Sequence, residues 1–222
     1  MSTGPYGALV AQHGLATSHR LIVAAVPARA RVLDVGCASG YLAAELIARG
    51  ASVVGVEADA ADARAARQTG ATVIEADVEA ADAIDELRGA GPFDAIVCGD
   101  VLEHLRDPWS LLRSLTALLA PDARVIVSVP NIAHWTARRT VLGGRFPRAE
   151  HGLFDATHLR FFTRATAHEL VTGAGLRVVS ERFAPAPLPF QARLPWLGRL
   201  EPRAARLVPE LFALQIVLVA EP

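Results

Sequence analysis

From Arg31 onward, short apolar runs rich in β-branched residues (RVLDV, SVVGVE, TVIE) alternate with longer stretches whose apolar positions recur at helical spacing. Short runs bounded by breaks predict strands, and the 3.6-residue spacing between them predicts helices. The pattern predicts strands over Arg31–Val35, Ser52–Glu57, Thr72–Glu75, 95–98 and 124–130, with helices over 41–49, 60–68 and 109–119. Strands and helices in alternation build βαβ units on a parallel sheet. After Pro130 the rhythm changes: residues 131–163 form a long connection rich in Arg, His, Gly and aromatic residues. Connections of that length are commonly functional lids or disordered segments. A helix over 164–174 and strands over 176–183 and 213–220 complete the pattern, the last two separated by the Pro-rich stretch 184–209.

Composition narrows the class. With 222 residues, 52% of them hydrophobic, the chain can bury one substantial core, so residues 1–222 read as a single domain. The 22 basic and 23 acidic side chains nearly cancel, which excludes the global field that draws a protein onto nucleic acid or gives stable membrane association. Cys37 and Cys98 are too few for a disulfide framework and lack metal-ligand spacing. The first residues show no cationic leader followed by an apolar core, and no apolar run approaches the roughly 18 residues that span a bilayer. The expected location is therefore the cytoplasm. In the Pro-rich stretch, Phe190 and Trp196 interleave with Arg193, Arg199, Arg203 and Arg206; it reads as a surface excursion whose aromatics pack onto the sheet rather than seat on a membrane.

The chemistry concentrates in RVLDVGCASG, residues 31–40, which brings a strand, a carboxylate, a tight turn and a helix start together. Gly36 and Gly40 allow positive φ and a close approach of backbone to a ligand, and such a turn lies where open α/β sheets bind ligands. The turn departs from the dinucleotide fingerprint, since Ala38 and Tyr41 stand where that motif needs glycine. Asp34 argues the same way: a carboxylate there repels a pyrophosphate and suits a cation. S-adenosylmethionine, with an ammonium and a sulfonium and no phosphate, fits that charge, whereas the cofactor of an NAD-type oxidoreductase does not. Glu57 follows Asp34 by 23 positions, where a carboxylate can accept two hydrogen bonds from a ribose diol. Asp77 follows the third strand, so acids stand at or just after three successive strands.

With these motifs the chain resembles the class I S-adenosylmethionine-dependent methyltransferases, in the broad group that includes ubiquinone-biosynthesis and many small-molecule enzymes. The resemblance implies a Rossmann-like seven-stranded doubly wound sheet, mostly parallel with an antiparallel last strand. It implies contacts to the methionine end of the cofactor from Asp34, Gly36 and Gly40, to the ribose from Glu57, and to the adenine from Asp77 and Val78. FDAIVCGDVLEHLRDP, residues 93–108, resembles the family's fourth motif and points to Asp100, Val101 and His104 beside the methyl group. Ala38 departs from the third glycine of many members. GLFDATHLRFFT, residues 152–163, resembles a segment of a subset that modifies sugars or secondary metabolites. A non-catalytic protein that binds S-adenosylmethionine remains the competing reading of the same motifs.

Methyl transfer asks the protein mainly for orientation and exclusion of water. A general base is needed when the acceptor is a hydroxyl, and His158, His104 and His134 are the candidates, His158 first. His151, Asp155 and His158 share helical spacing, but Gly152 and the Asp-Ala-Thr sequence disfavour a helix there, so no metal is assigned. The connection 131–163 holds Arg138, Arg139, Arg145, Arg148 and Arg160 against Glu150 and Asp155, from which an anionic acceptor is expected beneath it.

Overall fold

In the computed structural model, which describes residues 14–222 together with Val10 and Gln12, the short runs pair into one sheet. Its strands are β1 (Arg31–Val35), β2 (Ser52–Glu57), β3 (Thr72–Glu75), β4 (Phe93–Gly99), β5 (Leu119–Pro130), β6 (Arg177–Pro185) and β7 (Ala213–Glu221). The order is β3-β2-β1-β4-β5-β7-β6. Strands β1 to β5 run parallel, and β7 enters between β5 and β6 antiparallel to both. The doubly wound sheet with one reversed last strand is thus as expected. The stretch read for a leader lies largely outside the described residues.

Side chains alternate across the sheet with the period of the strand. Leu33, Val54, Ile96, Val127 and Leu218 face one apolar core; Val32, Val53, Val97, Ile126 and Val217 face the other. The first core takes α4 (Ala83–Ala90), α5 (Pro108–Thr116) and α7 (Arg164–Gly173) through Leu87, Leu112 and Leu170. The second takes α1 (Thr17–Ala25) and α2 (Tyr41–Ala48) through Ile22, Leu42 and Leu46. Because both faces are covered, the central strands read as continuous apolar runs, as buried parallel strands must.

Asp59 caps α3 (Ala60–Arg67) by accepting from the Ala61 and Asp62 N–H groups, and Asp107 caps α5 through Ser110 N–H. Such caps are the start signals that sequence reading uses. Of the helices absent from the sequence expectation, α1 and α4 begin after Ala16 and Asp82 without a side-chain cap. Within 131–163 the chain forms α6 (Trp135–Leu142) and then an irregular stretch with no helix across His151 to His158. This connection is pinned at both ends, since Asn131 pairs with Phe162 and the Leu159 and Arg160 N–H groups donate to the Glu103 carbonyl.

The Pro-rich stretch corrects an expectation. It forms a 3-10 turn (Pro195–Leu200), α8 (Glu201–Leu207) and α9 (Pro209–Phe212), yet Phe190 and Trp196 stand 71% and 58% exposed rather than packed on the sheet. The sheet here is covered instead by α8, which packs on β6 and β7 with Ala205 buried. Among the described residues, no helix is long and apolar enough to cross a membrane.

Candidate active site

The parallel strands end on a common edge, and the strand order reverses between β1 and β4, where an open α/β sheet leaves a crevice. A cavity of about 300 Å³ opens there. Gly36 and Ala38 after β1, Glu57 and Ala58 at β2, Asp77 and Val78 after β3, and Asp100 and Val101 after β4 line it, with Tyr41, His104 and Leu105.

The turn after β1 is shaped by its glycines. Gly36 has φ +69°, and a Cβ on it would stand 2.7 Å from Val101 Cγ2, filling the space between the turn and the β4 loop. Gly40 has φ +81° and heads α2, but a Cβ there would meet the Ala66 Cα at 2.7 Å. Gly40 is therefore required by packing against α3 and lies outside the cavity wall. Ala38 takes φ +46° although it is not glycine. Glu57 braces it: one carboxylate oxygen accepts from Ala38 N–H and the other from Asp59 N–H, each at 2.9 Å. Glu57 thereby ties the β1 and β2 turns together at the cavity.

Asp34 also stands outside the wall. It is 1% exposed, and its Oδ2 has no hydrogen-bonding partner. Burial, reinforced by the Glu57 charge, pushes its carboxyl up to about 7. Of the eight residues assigned to the cofactor, Gly36, Glu57, Asp77, Val78, Asp100 and Val101 line the cavity, whereas Asp34 and Gly40 support it.

Asp100 sits at φ +55°, a conformation that Asp tolerates better than most residues. It accepts from Ser128 Oγ at 3.0 Å and faces His19 Nε2 at 4.0 Å. Burial pushes its carboxyl up to about 6, against the pull of hydrogen bonds from Ser128 and Gln215. Asp100 also borders a second cavity of about 90 Å³, lined by Glu103, Pro130, Gly152, Leu153, His158, Leu214 and Gln215. The two cavities meet across one carboxylate.

The three histidines separate. His104 lines the first cavity and His158 the second, their rings 4.8 Å apart in an edge-to-face contact. Burial lowers both below the usual imidazole range, and the neighbouring His104 adds to the effect on His158. His134 lines neither cavity: it is 1% exposed, caps α6 by accepting from Thr136 N–H, and burial lowers it to about 4. It is a helix cap rather than a base. His134→Asn, which keeps a capping side chain, should leave turnover unchanged and shift stability by about 1 kcal/mol or less in denaturant unfolding. A tenfold loss of turnover in that variant would contradict the assignment.

The arginines of 131–163 also fall away from the two cavities. Arg138 donates to the Ala133 carbonyl, Arg148 to that of Ala156 and Arg160 to that of Arg106, and Arg160 stacks on Trp109. No arginine stands in either cavity wall. Neither cavity wall therefore offers the anion site expected beneath this connection: Arg138 and Arg148 hold the connection's own backbone and Arg160 that of Arg106, while Arg139 and Arg145 line a separate hollow with Trp135, Thr136 and Thr140. Two residues that sequence reasoning passed over matter here. Tyr41 lines the first cavity, and Glu103, beside His104, is 1% exposed with neither carboxylate oxygen hydrogen-bonded. The signal for Glu103 was an acid between two leucines at positions 102 and 105 that face the core.

Comparison with known proteins bears on the fold and the family. Residues 11–181 match the model of a family described as a methyltransferase domain. A ubiquinone biosynthesis O-methyltransferase of Pseudomonas aeruginosa is 32% identical over 130 residues, covering 54% of this chain and 55% of that protein. The chain spans about half the length of the curated relatives it matches. Among solved structures, a SAM-dependent methyltransferase from Archaeoglobus fulgidus superposes with a TM-score of 0.64 at 17% identity, covering 98% of this chain and 100% of that one. The 1,6-didemethyltoxoflavin-N1-methyltransferase of Burkholderia thailandensis, solved with its substrate and S-adenosylhomocysteine, gives 0.61 at 21% identity over 96% of this chain and 81% of that one. At these identities the structures speak for the fold, and the match over residues 11–181 speaks for more: the chain belongs to the methyltransferase-domain family.

Proposed function

We propose that the chain is a single-domain enzyme that binds S-adenosylmethionine in the cavity at the ends of β1 to β4 and transfers its methyl group to a small-molecule hydroxyl. One observation carries the reading: the cavity wall holds Glu57, Asp77 and Asp100, with Asp34 behind it, and neither lysine nor arginine. Such a wall repels a pyrophosphate and favours a cation. It thus counts against the NAD-type alternative.

In this reading Glu57 accepts from the ribose hydroxyls, Asp77 and Val78 border the adenine, and the Gly36–Ala38 backbone flanks the methionine end. Asp100 and Val101 stand where the two cavities meet, which is where the donor methyl faces the acceptor. The bound donor supplies the activated carbon; the protein holds the acceptor oxygen in line and excludes water. His158 or His104 takes the hydroxyl proton as the oxygen attacks, a step suited to imidazoles that burial keeps neutral. The second cavity offers carboxylates and an imidazole, which receive hydrogen bonds from a hydroxyl. The relatives named O-methyltransferases support oxygen as the target. Cys37 and Cys98 are free and buried, in keeping with a cytoplasmic enzyme.

Incubating the protein with deuterated-methyl donor and small-molecule extract, then reading products by mass spectrometry, tests the proposal. The expected result is a product carrying a labelled O-methyl group. Binding of the donor without any labelled product would favour the non-catalytic alternative.

A further inference from the structure

The folded chain groups different metal-type side chains from those that spacing suggested. Glu103 and His104, in the turn after β4, meet His158 of the 131–163 connection, and each offers a ligand atom within 4.8 Å of the others. The encounter is built by the backbone, since the Leu159 and Arg160 N–H groups both donate to the Glu103 carbonyl and so fix His158 beside the turn.

Three observations point to what this cluster holds. Glu103 is 1% exposed and its oxygens have no hydrogen-bonding partner; a carboxyl so placed either stays protonated or is met by something positive. Asp100 and Asp155 add negative charge close to Glu103, and no cation offsets it among the described residues lining the second cavity. The His104 imidazole is oriented from outside. His104 Nδ1 contacts Thr157 Oγ1 at 3.0 Å, and that hydroxyl donates to Asp155 Oδ1 at 2.6 Å. The His158 ring packs edge-on against that of His104, their centroids 4.8 Å apart. When one ring nitrogen is held by an outer partner, the other is aimed and made a better ligand, which is the arrangement around metal-binding histidines.

We propose that Glu103, His104 and His158 form a binding site for one divalent first-row transition ion, such as Zn²⁺ or Mn²⁺. Two imidazole nitrogens and one carboxylate select such an ion over Mg²⁺ or Ca²⁺, which favour all-oxygen sets. Three protein ligands leave further positions open. The site stands between the cavities, with His104 in the wall of one and Glu103 and His158 in the wall of the other. With an ion bound, His104 and His158 are ligands and no longer take the acceptor's proton; the ion's charge beside the second cavity would instead ease its loss to solvent. The site itself does not depend on the methyl-transfer reading.

The test uses the full chain, free of any affinity tag, stripped with chelator and titrated calorimetrically with ZnCl₂ and with MnCl₂ in the absence of any donor. The expected result is one ion per chain with Kd below about 10 μM for Zn²⁺, and weaker or no binding of MgCl₂. His158→Ala and Glu103→Gln should each weaken binding at least tenfold, while His151→Ala, outside the cluster, should not. Co²⁺ provides a readout independent of stability: its visible absorption bands should appear on binding and vanish in His158→Ala. If Glu103→Gln fails to fold, His104→Gln takes its place in the comparison. Absence of saturable Zn²⁺ and Mn²⁺ binding overturns the proposal, and so does stoichiometric binding that His158→Ala leaves intact.

Discussion

Replacing Glu57 by alanine is expected to weaken donor binding by one to two orders of magnitude, on roughly 1.5–3 kcal/mol for charge-assisted hydrogen bonds to the ribose. The structure gives a second reason for a large effect. The same carboxylate accepts from Ala38 and Asp59 N–H, so its removal leaves two amides unpaired and frees the turn that flanks the methionine end. Ala38, at φ +46°, is the residue most ready to relax once released. The two cores do not involve Glu57, so the variant should stay folded with a modest loss of Tm. Glu57→Gln, which keeps one carbonyl acceptor, should fall between the parent and the alanine variant. Equilibrium dialysis with labelled donor measures all three; unchanged affinity in a folded alanine variant would make Glu57 a turn brace with no ligand role.

Donor affinity should rise with pH toward neutrality because of Asp34. Its carboxyl is pushed up to about 7 by burial first and by the Glu57 charge second, with the buried Cys37 and Cys98 thiols also packed near it. Below that pH the folded protein holds Asp34 neutral; a cationic ligand favours the ionised form and must expel the proton. A cation about 7 Å away at an effective dielectric near 20 lowers the carboxyl by more than one pK unit, so affinity should increase roughly tenfold from pH 5.5 to 7.5 and then level off. Stability runs the other way. The folded pKa lies above the unfolded value of 3.8, so the contribution of Asp34 to stability is full below that value and is lost as pH rises through about 7. Asp34→Asn should therefore flatten the affinity profile while making the ligand-free protein more stable at pH 8 than its parent. Calorimetric titrations across the pH range, with melting curves on the same samples, read both slopes. A parent affinity that does not change with pH would remove Asp34 from the electrostatics of the site.

Much of the sheet was legible because the strands obey simple rules. β1, β2 and β3 end where the apolar runs end, since each passes directly into a turn that carries the chemistry. Helices α3 and α5, with capping aspartates, were placed within a few residues; α1 and α4, without caps, left no local mark and form because Ile22 and Leu87 are buried against the sheet. The cavity residues were legible for a topological reason, as acids at or after successive parallel strands must share one edge. Contacts made by the 131–163 connection were not. Whether an arginine faces a ligand or a backbone carbonyl depends on how the loop folds back, and Arg138, Arg148 and Arg160 turned to carbonyls. The meeting of His158 with Glu103 is equally non-local, being set by two backbone hydrogen bonds to a turn far away in sequence.

The central claim, that the acid-lined cavity after β1 to β4 is a site for S-adenosylmethionine, is tested most directly by calorimetric titration of the full chain with S-adenosylhomocysteine and, separately, with NADH. The account predicts saturable binding of S-adenosylhomocysteine at one site per chain, with a melting temperature that climbs with ligand concentration, and no binding of NADH. Saturable NADH binding, or no heat and no thermal shift with millimolar S-adenosylhomocysteine, would contradict it.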